Sequence, residues 1–221
     1  MFVGGNRTHF YRSSAVAAAY DREGALLWSY VRDDAAGSSN VDALHVFSNG
    51  NLLLVGGRIP SGGTRALLLV ELSRDGELVA EQVSEDVAPR SVAVAQRPEG
   101  TVLMLRTTTG IAVVSLSGEV LREATFGEEE DPKAFAAGLD GDVFVVGSRL
   151  LASGELAPWV ARYDESLARQ WEQVVARRGE LTAAAVGPNG DVFVTGRVVA
   201  PPVGKASDFT NLDIWIGRFA R

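Results

Sequence analysis

The chain has 221 residues, enough for one domain with a sizeable core, and 46% of them are hydrophobic against 22% charged, which excludes a disordered chain. Its formal net charge of −7 argues against a nucleic-acid partner, and the lack of cysteine excludes disulfides, thiolate metal sites and a cysteine nucleophile. No apolar run approaches the ~20 residues that cross a bilayer, so no membrane insertion is expected, and no basic segment followed by an apolar stretch reads as a signal peptide.

The elements, taken in chain order, repeat one phrase of up to four strands, A to D. Met1–Asn6 (MFVGGN) enters the phrase partway, at strand B. A connection over Asn6–Ser14 leads to strand C (Ala15–Tyr20), the turn Asp21-Arg22-Glu23-Gly24 and strand D (Ala25–Val31). The second unit supplies A (Val41–Phe47), the turn Ser48-Asn49-Gly50, B (Asn51–Val55), a connection Gly57–Arg65, C (Ala66–Leu72) and D (Glu77–Val83). The third runs through Ser91–Arg97, Pro98-Glu99-Gly100, Thr101–Leu105, Arg106–Gly110, Ile111–Leu116 and Glu119–Thr125. The fourth runs through Lys133–Leu139, Asp140-Gly141, Asp142–Val146, Ser148–Pro158, Trp159–Tyr163 and Ala168–Val175. The last supplies A (Leu181–Gly187), Pro188-Asn189-Gly190, B (Asp191–Thr195), Arg197–Asp213 and C (Ile214–Phe219). Leu167–Arg178 has the composition of a helix, but its place in the repeat predicts strand D and a loop.

The strand A–B turns carry Gly, Asn, Asp and Pro, the residues that hairpin turns need. Strand B reads as a near-continuous apolar, β-branched run, which predicts burial on both faces. Strand D is punctuated by charge, as an exposed outer strand should be. The turn glycines Gly50, Gly100, Gly141 and Gly190 lie 50, 41 and 49 residues apart, the period of four-stranded propeller blades. The expected fold is therefore all-β: a β-propeller of about five blades, each a four-stranded antiparallel meander, the first and last incomplete. One domain is expected over 1–221, with units at about 1–39, 40–88, 89–130, 131–178 and 179–221.

Eighteen strands are expected in all, two short of five full blades: strand A of the first and strand D of the last. In a closed ring those two are consecutive and would precede Met1. A truncated N-terminus is thus expected, lacking a segment of roughly 20–30 residues, or that plus whole blades, with room for an export signal.

Three stretches carry a family resemblance: Gly190-Asp191-Val192-Phe193-Val194-Thr195-Gly196, Gly141–Gly147, and Tyr20-Asp21-Arg22-Glu23-Gly24-Ala25-Leu26-Leu27-Trp28. The pattern resembles the bacterial β-propeller repeat families, SBBP-type repeats and the related pyrroloquinoline-quinone-like repeats. The resemblance implies a bacterial protein, exported or on the cell surface. Tyr20–Trp28 is shorter than the quinone-binding pattern and lacks its Thr-Gly-Lys, Trp171 follows Asp164 with no glycine between them, and the third unit has Arg106 in place of glycine and no Trp. No cofactor is therefore expected, and Trp28 and Trp171 read as packing anchors between blades.

In propellers the B–C and D–A connections share one face. The B–C connections here are long and variable, so that face is the candidate binding site. An arginine follows strand B in every unit: Arg7, Arg58, Arg106, Arg149 and Arg197. These either form a cationic rim for carboxylate, phosphate or sulfate groups, or pair with acids between blades. His9 and Tyr11 sit beside Arg7 in the first connection, and Lys205 and Asp208 in the last; these nine residues are the candidate ligand contacts. The alternative reading of His9, an exposed loop histidine, is the preferred one. His45, where other units have alanine, either lines the central channel or packs between blades.

Glu128-Glu129-Glu130-Asp131 is either a calcium-binding run or a solvated loop, and no ligand spacing favours the former. Asp140 and Asp142 are accounted for by turn chemistry. No catalytic or metal-binding motif occurs. The expected function is a non-enzymatic binding or scaffolding propeller with a protein, glycan or cell-envelope ligand. The alternatives are a hydrolase or lyase near the axis, and a structural module of a longer surface protein. Open blade edges add self-association as a further expectation.

Overall fold

A computed structural model of the chain describes all residues except 10–11, 33–36, 98–99, 108, 139, 176–177, 200–211 and 220–221, and only the backbone of 9, 95–97 and 212–213. The described residues form five antiparallel sheets. Sheet 1 holds β1 (Phe2–His9), β2 (Arg12–Tyr20) and β3 (Leu26–Val31). Sheet 2 holds β4 (Gly37–Val46), β5 (Leu52–Pro60), β6 (Ala66–Leu72) and β7 (Leu78–Ser84). Sheet 3 holds β8 (Ser91–Arg97), β9 (Gly100–Arg106), β10 (Gly110–Val114) and β11 (Val120–Thr125). Sheet 4 holds β12 (Glu130–Ala137), β13 (Val143–Leu150), β14 (Leu156–Tyr163) and β15 (Arg169–Val174). Sheet 5 holds β16 (Gly179–Val186), β17 (Val192–Val199) and β18 (Leu212–Phe219). Every sheet is a meander whose spatial order follows the chain, the layout of a propeller blade. Contacts divide the chain into two compact units, Met1–Gln96 with Gly100–Leu121, and Arg97–Glu99 with Arg122–Arg221.

Most of the predicted strands appear within one to three residues of their expected ends. The larger difference lies in the B–C connections. Asn6 to Ser14 is mostly a hairpin, with Asn6 opposite Ala15 and His9 opposite Arg12. Likewise β5 runs on to Pro60, and β13 and β14 stay paired from Val143–Tyr163 to Leu150–Leu156. Alternation of small, polar and apolar residues in these stretches suits a two-stranded ribbon, whose backbone bonds are satisfied across the pair. The helix-like composition of Leu167–Arg178 is overridden by pairing: β15 lies antiparallel to β14, with Trp171 opposite Arg162.

Strand B explains its own glycine. In sheets 2, 4 and 5 the neighbouring strand A carries an irregularity, at Val41/Ala43, Pro132/Ala134 and Leu181/Ala183. Each pushes a carbonyl into the space over the glycine opposite. A Cβ on Gly56 would lie 1.8 Å from the Asn40 oxygen, on Gly147 2.2 Å from that of Asp131, and on Gly196 2.1 Å from that of Glu180.

The C–D turns share one device. Asp21 Oδ1 accepts from the Ala25 amide (2.8 Å), Ser73 Oγ from Glu77 (3.1 Å), Ser115 Oγ from Glu119 (3.2 Å) and Asp164 Oδ1 from Ala168 (3.0 Å). The residue before each donor has a left-handed backbone: Gly24 (φ 87°), Gly76 (87°), Gly118 (81°) and, in sheet 4, Leu167 (65°).

Sheets stack face to face within each unit. In the first unit Ala15 and Ala17 of sheet 1 meet Leu52, Leu54, Leu68 and Val70 of sheet 2. The opposite side of sheet 2, with Leu53, Val55, Leu67 and Leu69, meets Leu103, Leu105, Ala112 and Val114 of sheet 3. In the second unit Phe144, Val146 and Val160 of sheet 4 meet Leu181, Val192 and Val194 of sheet 5. The first six residues of β5 and of β13 are buried on both faces, while β7, β11 and β15 are largely exposed. Strand β17 departs from the prediction: its burial alternates residue by residue, because among the described residues only one face of sheet 5 is covered.

The two tryptophans hold stacked sheets together, as expected. Trp28 Nε1 donates to the Arg74 carbonyl of sheet 2 at 2.9 Å, and its ring packs on Gly76 of the same turn. Trp171 lies between Phe144 and Phe219, with ring centres 6.2 and 6.1 Å away.

Candidate functional site

In sheets 2 and 4 the B–C connections are ribbons that close in tight turns. In sheet 4 the Leu151 amide donates to Glu155 O (2.8 Å), the Gly154 amide donates to Leu151 O (2.8 Å), and Gly154 takes φ 80°. In sheet 2 the Gly63 amide donates to Pro60 O at 3.0 Å. The tips so formed are apolar as well as polar: Ile59, Leu150, Leu151 and Leu156 are all exposed, and Leu150 lies directly opposite Leu156.

The five arginines occupy the roots of these ribbons. Arg7 is exposed on β1, opposite Ser14. Arg58 is half-buried between Ser39 and Ala66. Arg106 is half-buried on β9, and its carbonyl accepts the Arg90 amide at 2.6 Å. Arg149 contacts Glu172 (2.5 Å) and Glu129 (3.2 Å). Arg197 contacts Glu180, its cross-strand neighbour, at 2.6 Å. Arg149 and Arg197 of the predicted rim are therefore engaged by acids. His9 is placed by its backbone alone, opposite Arg12, and Tyr11, Lys205 and Asp208 lie outside the described residues.

The acidic run at 128–131 resolves in the same way. Glu129 serves Arg149, Glu130 receives both terminal nitrogens of Arg169 at 2.8 Å, and Asp131 meets Lys133 at 2.6 Å. Among the described residues no three His, Asp or Glu side chains group as metal ligands. Asp142 does more than flank a turn: it accepts from Arg162 at 2.7 and 3.0 Å, and Asp191 receives Arg218 in the same way. His45 sets its ring edge-on to Phe47 at 5.2 Å.

One network escaped the sequence reading. Arg169 donates to Glu130, to Glu172 (2.7 Å) and to the Tyr163 hydroxyl (2.8 Å), and stacks over the rings of Trp159 and Tyr163. Burial pushes the Tyr163 phenol up, outweighing the nearby guanidinium. Burial also acts to raise Glu172, but hydrogen bonds and charge from Arg149, the Trp159 indole N–H and the Arg169 charge hold it below the ordinary range. Hydrogen bonding to Glu172 raises Arg149. Arg169 is likewise raised, since bonds to Glu130 and Tyr163 outweigh its desolvation. The only sequence signal was charge on an outer strand, which pointed to solvent.

No protein-family model matches the chain, and no curated protein does. Its fold is similar to solved structures. The WD40 domain of Pan2 from Neurospora crassa matches with a TM-score of 0.56 at 11% identity, over 88% of this chain and 60% of that one. A protein of unknown function from Bacteroides caccae matches with a TM-score of 0.54 at 14% identity, over 86% of this chain and 66% of that one. Drosophila Plexin A, solved in complex with Semaphorin 1b, matches with a TM-score of 0.55 at 9% identity, over 98% and 51%. The chain thus spans between half and two thirds of the length of these structures. Together with the five meanders, they establish a β-propeller fold whose first and last blades have three described strands. Among the described residues no helix is long and apolar enough to cross a membrane.

Proposed function

We propose that this is a non-enzymatic binding or scaffolding propeller of the SBBP-type repeat kind, and that its B–C ribbon tips carry a partner protein. The observation behind this reading is the sheet 4 tip. Leu150 and Leu156 face each other in the open, Leu151 follows, and Arg149 at the root is steadied by Glu172 and Glu129. Exposed aliphatic side chains on a hydrogen-bonded ribbon suit a protein surface, because they lose little freedom on binding. The Glu-bound state of Arg149 and Arg197 favours this over a free-anion rim. An exported or cell-surface location belongs to the same proposal and rests on the repeat motifs.

The test is photo-crosslinking in the native cell. Probes at Ile59 and Leu150 should form a discrete protein adduct, probes at the A–B turn residues Asn49 and Asn189 should not, and Leu156→Glu should remove the Leu150 adduct. Equal labelling from both ends, or none from the ribbon tips, overturns the reading.

A further inference from the structure

One row of the repeat changes character in sheet 2. Register places Phe2, Ala19 and Trp28 side by side across sheet 1, and Phe144, Arg162 and Trp171 across sheet 4. The same row of sheet 2 holds Leu53, Glu71 and Ala80. These rows are equivalent. Each ends shortly after the left-handed residue of its C–D turn, Gly24, Gly76 or Leu167, and each lies beside the same irregularity, at Ala19/Tyr20, Glu71/Leu72 or Arg162/Tyr163. Sheet 2 thus has alanine where sheets 1 and 4 carry their tryptophan anchor. It also has a carboxylate where sheets 4 and 5 carry a guanidinium, Arg162 and Arg218.

Both changes meet at one cleft between sheets 2 and 3. In the sheet 1–sheet 2 stack the Trp28 ring lies on Gly76 of the following C–D turn. In the sheet 2–sheet 3 stack that turn is tied down by Gln82 and Ser84 instead, whose side chains donate to the carbonyls of Ser117 and Gly118. The space beside Ala80 remains as a cleft of about 60 Å³. Phe47, Leu53, Leu69 and Leu116 form its apolar wall, and Glu71 lies in its side. All of these residues belong to the first compact unit. A closed cavity of about 150 Å³ takes benzene, so a ring is not enclosed here. The mouth at Ala80 is exposed, and a ring there would stand half-buried, as Trp28 does on sheet 2. The charge is set apart in the same way. Arg162 pairs with Asp142, and Arg218 with Asp191. Asn51 holds the position of those aspartates, and it offers Glu71 an amide rather than a cation, donating to Oε1 at 2.6 Å.

We propose that this cleft binds an arylalkylamine, its ring in the place that Trp28 and Trp171 take in their own sheets and its ammonium on the Glu71 carboxylate. Such a ligand supplies ring and cation together, and its charge is opposite to that of the group it meets. The spacing fits as well. Glu71 and Ala80 are directly opposite each other, and such pairs have Cβ atoms ~4.5–5.5 Å apart, the reach of a two-carbon arm between ring and nitrogen. The cleft lies at the A–B and C–D turns, the end of the blade opposite to the B–C ribbons, so the assignment is independent of a partner at the ribbon tips.

The test is isothermal titration calorimetry of the full chain with tryptamine. Indole-3-acetate, the same ring with the opposite charge, is the comparison ligand, and far-UV circular dichroism is the folding control. Tryptamine is expected to bind one to one, and indole-3-acetate at least about tenfold more weakly. Ala80→Trp gives sheet 2 the ring of sheets 1 and 4 and should abolish tryptamine binding. Glu71→Gln removes the charge while keeping the shape, so it reports even where Ala80→Trp does not fold. It should weaken tryptamine at least about tenfold and bring the two ligands to similar affinity. A blocked Gly-Trp-Arg-Gly peptide offers ring and cation from a protein source. Its binding in place of tryptamine overturns the small-molecule assignment. So does an absence of tryptamine binding up to roughly 10 mM, equal affinity of the wild type for the two ligands, or tryptamine binding that survives in folded Ala80→Trp or is unchanged in Glu71→Gln.

Discussion

Gly147 sits beneath the carbonyl of Asp131 so closely that a methyl group on its Cα would lie 2.2 Å from that oxygen. The strand-B glycine is therefore a matter of space rather than flexibility: strand A bulges, its carbonyl turns inward, and only a residue without a side chain fits opposite. Gly56 and Gly196 meet Asn40 and Glu180 in the same way.

Gly147→Ala, Gly56→Ala and Gly196→Ala are each expected to lower stability by roughly 2–4 kcal/mol, since backbone must move to admit the methyl. Gly5→Ala is the control, because a Cβ there meets nothing within 4 Å. It should change stability by less than about 1 kcal/mol. Chemical denaturation of the four variants checks the ranking, and a Gly147→Ala protein as stable as Gly5→Ala contradicts the account of the bulge.

Gly24 and Gly76 hold the same turn position and the same φ of 87°, but only Gly76 lies under the Trp28 indole, where a Cβ would approach the ring to 2.5 Å. Gly24→Ala should cost about 1–2 kcal/mol from backbone strain alone. Gly76→Ala should cost roughly 1–3 kcal/mol more, through displacement of Trp28. In the background of Trp28→Ala the two substitutions should become equivalent, which a double-mutant cycle measures directly.

Leu167 occupies the left-handed position that the other C–D turns give to glycine, with φ 65°, and is only 5% exposed. Its burial, worth about 1.5–3 kcal/mol, outweighs a strain of about 1–2 kcal/mol. Leu167→Ala loses the burial and keeps the strain; Leu167→Gly loses the burial and releases it. Thermal unfolding should therefore rank wild type above Leu167→Gly and Leu167→Gly above Leu167→Ala, the reverse of the usual order for alanine and glycine.

Stability should fall at both ends of the pH scale. Tyr163 is raised above its ordinary 10.0 by burial, so its contribution is complete below about pH 10 and lost as pH rises through the raised value. Tyr30 is raised as well, by burial and by Glu81, so Tyr163→Phe should shallow the alkaline slope without abolishing it. Glu172 lies below its ordinary 4.5, so its contribution is present above that value and lost as pH falls through the depressed one. Glu172→Gln should flatten the acid slope, read as denaturation midpoint against pH. An unchanged acid slope would remove the charge network from the stability of sheet 4.

The local pattern was enough to show the hairpins, the exposure of β7, β11 and β15, and the anchoring role of Trp28 and Trp171. Strand alternation, turn glycines and the 41- to 50-residue period act over short distances and are written in neighbouring residues. The site was legible only in part. The arginines after strand B could be counted, but whether each meets an acid depends on residues 17 to 23 positions away, as for Arg197 with Glu180 and Arg149 with Glu172. Likewise, nothing in the run Val192–Val199 distinguishes it from β13, whose first six residues are buried on both faces; among the described residues only one face of β17 is covered. Composition and periodicity decided that these residues form thin apolar sheets. Tertiary contact decided which faces are covered, which glycines are irreplaceable and which charges are already paired, because burial and ion pairing depend on neighbours that the local order of residues does not name.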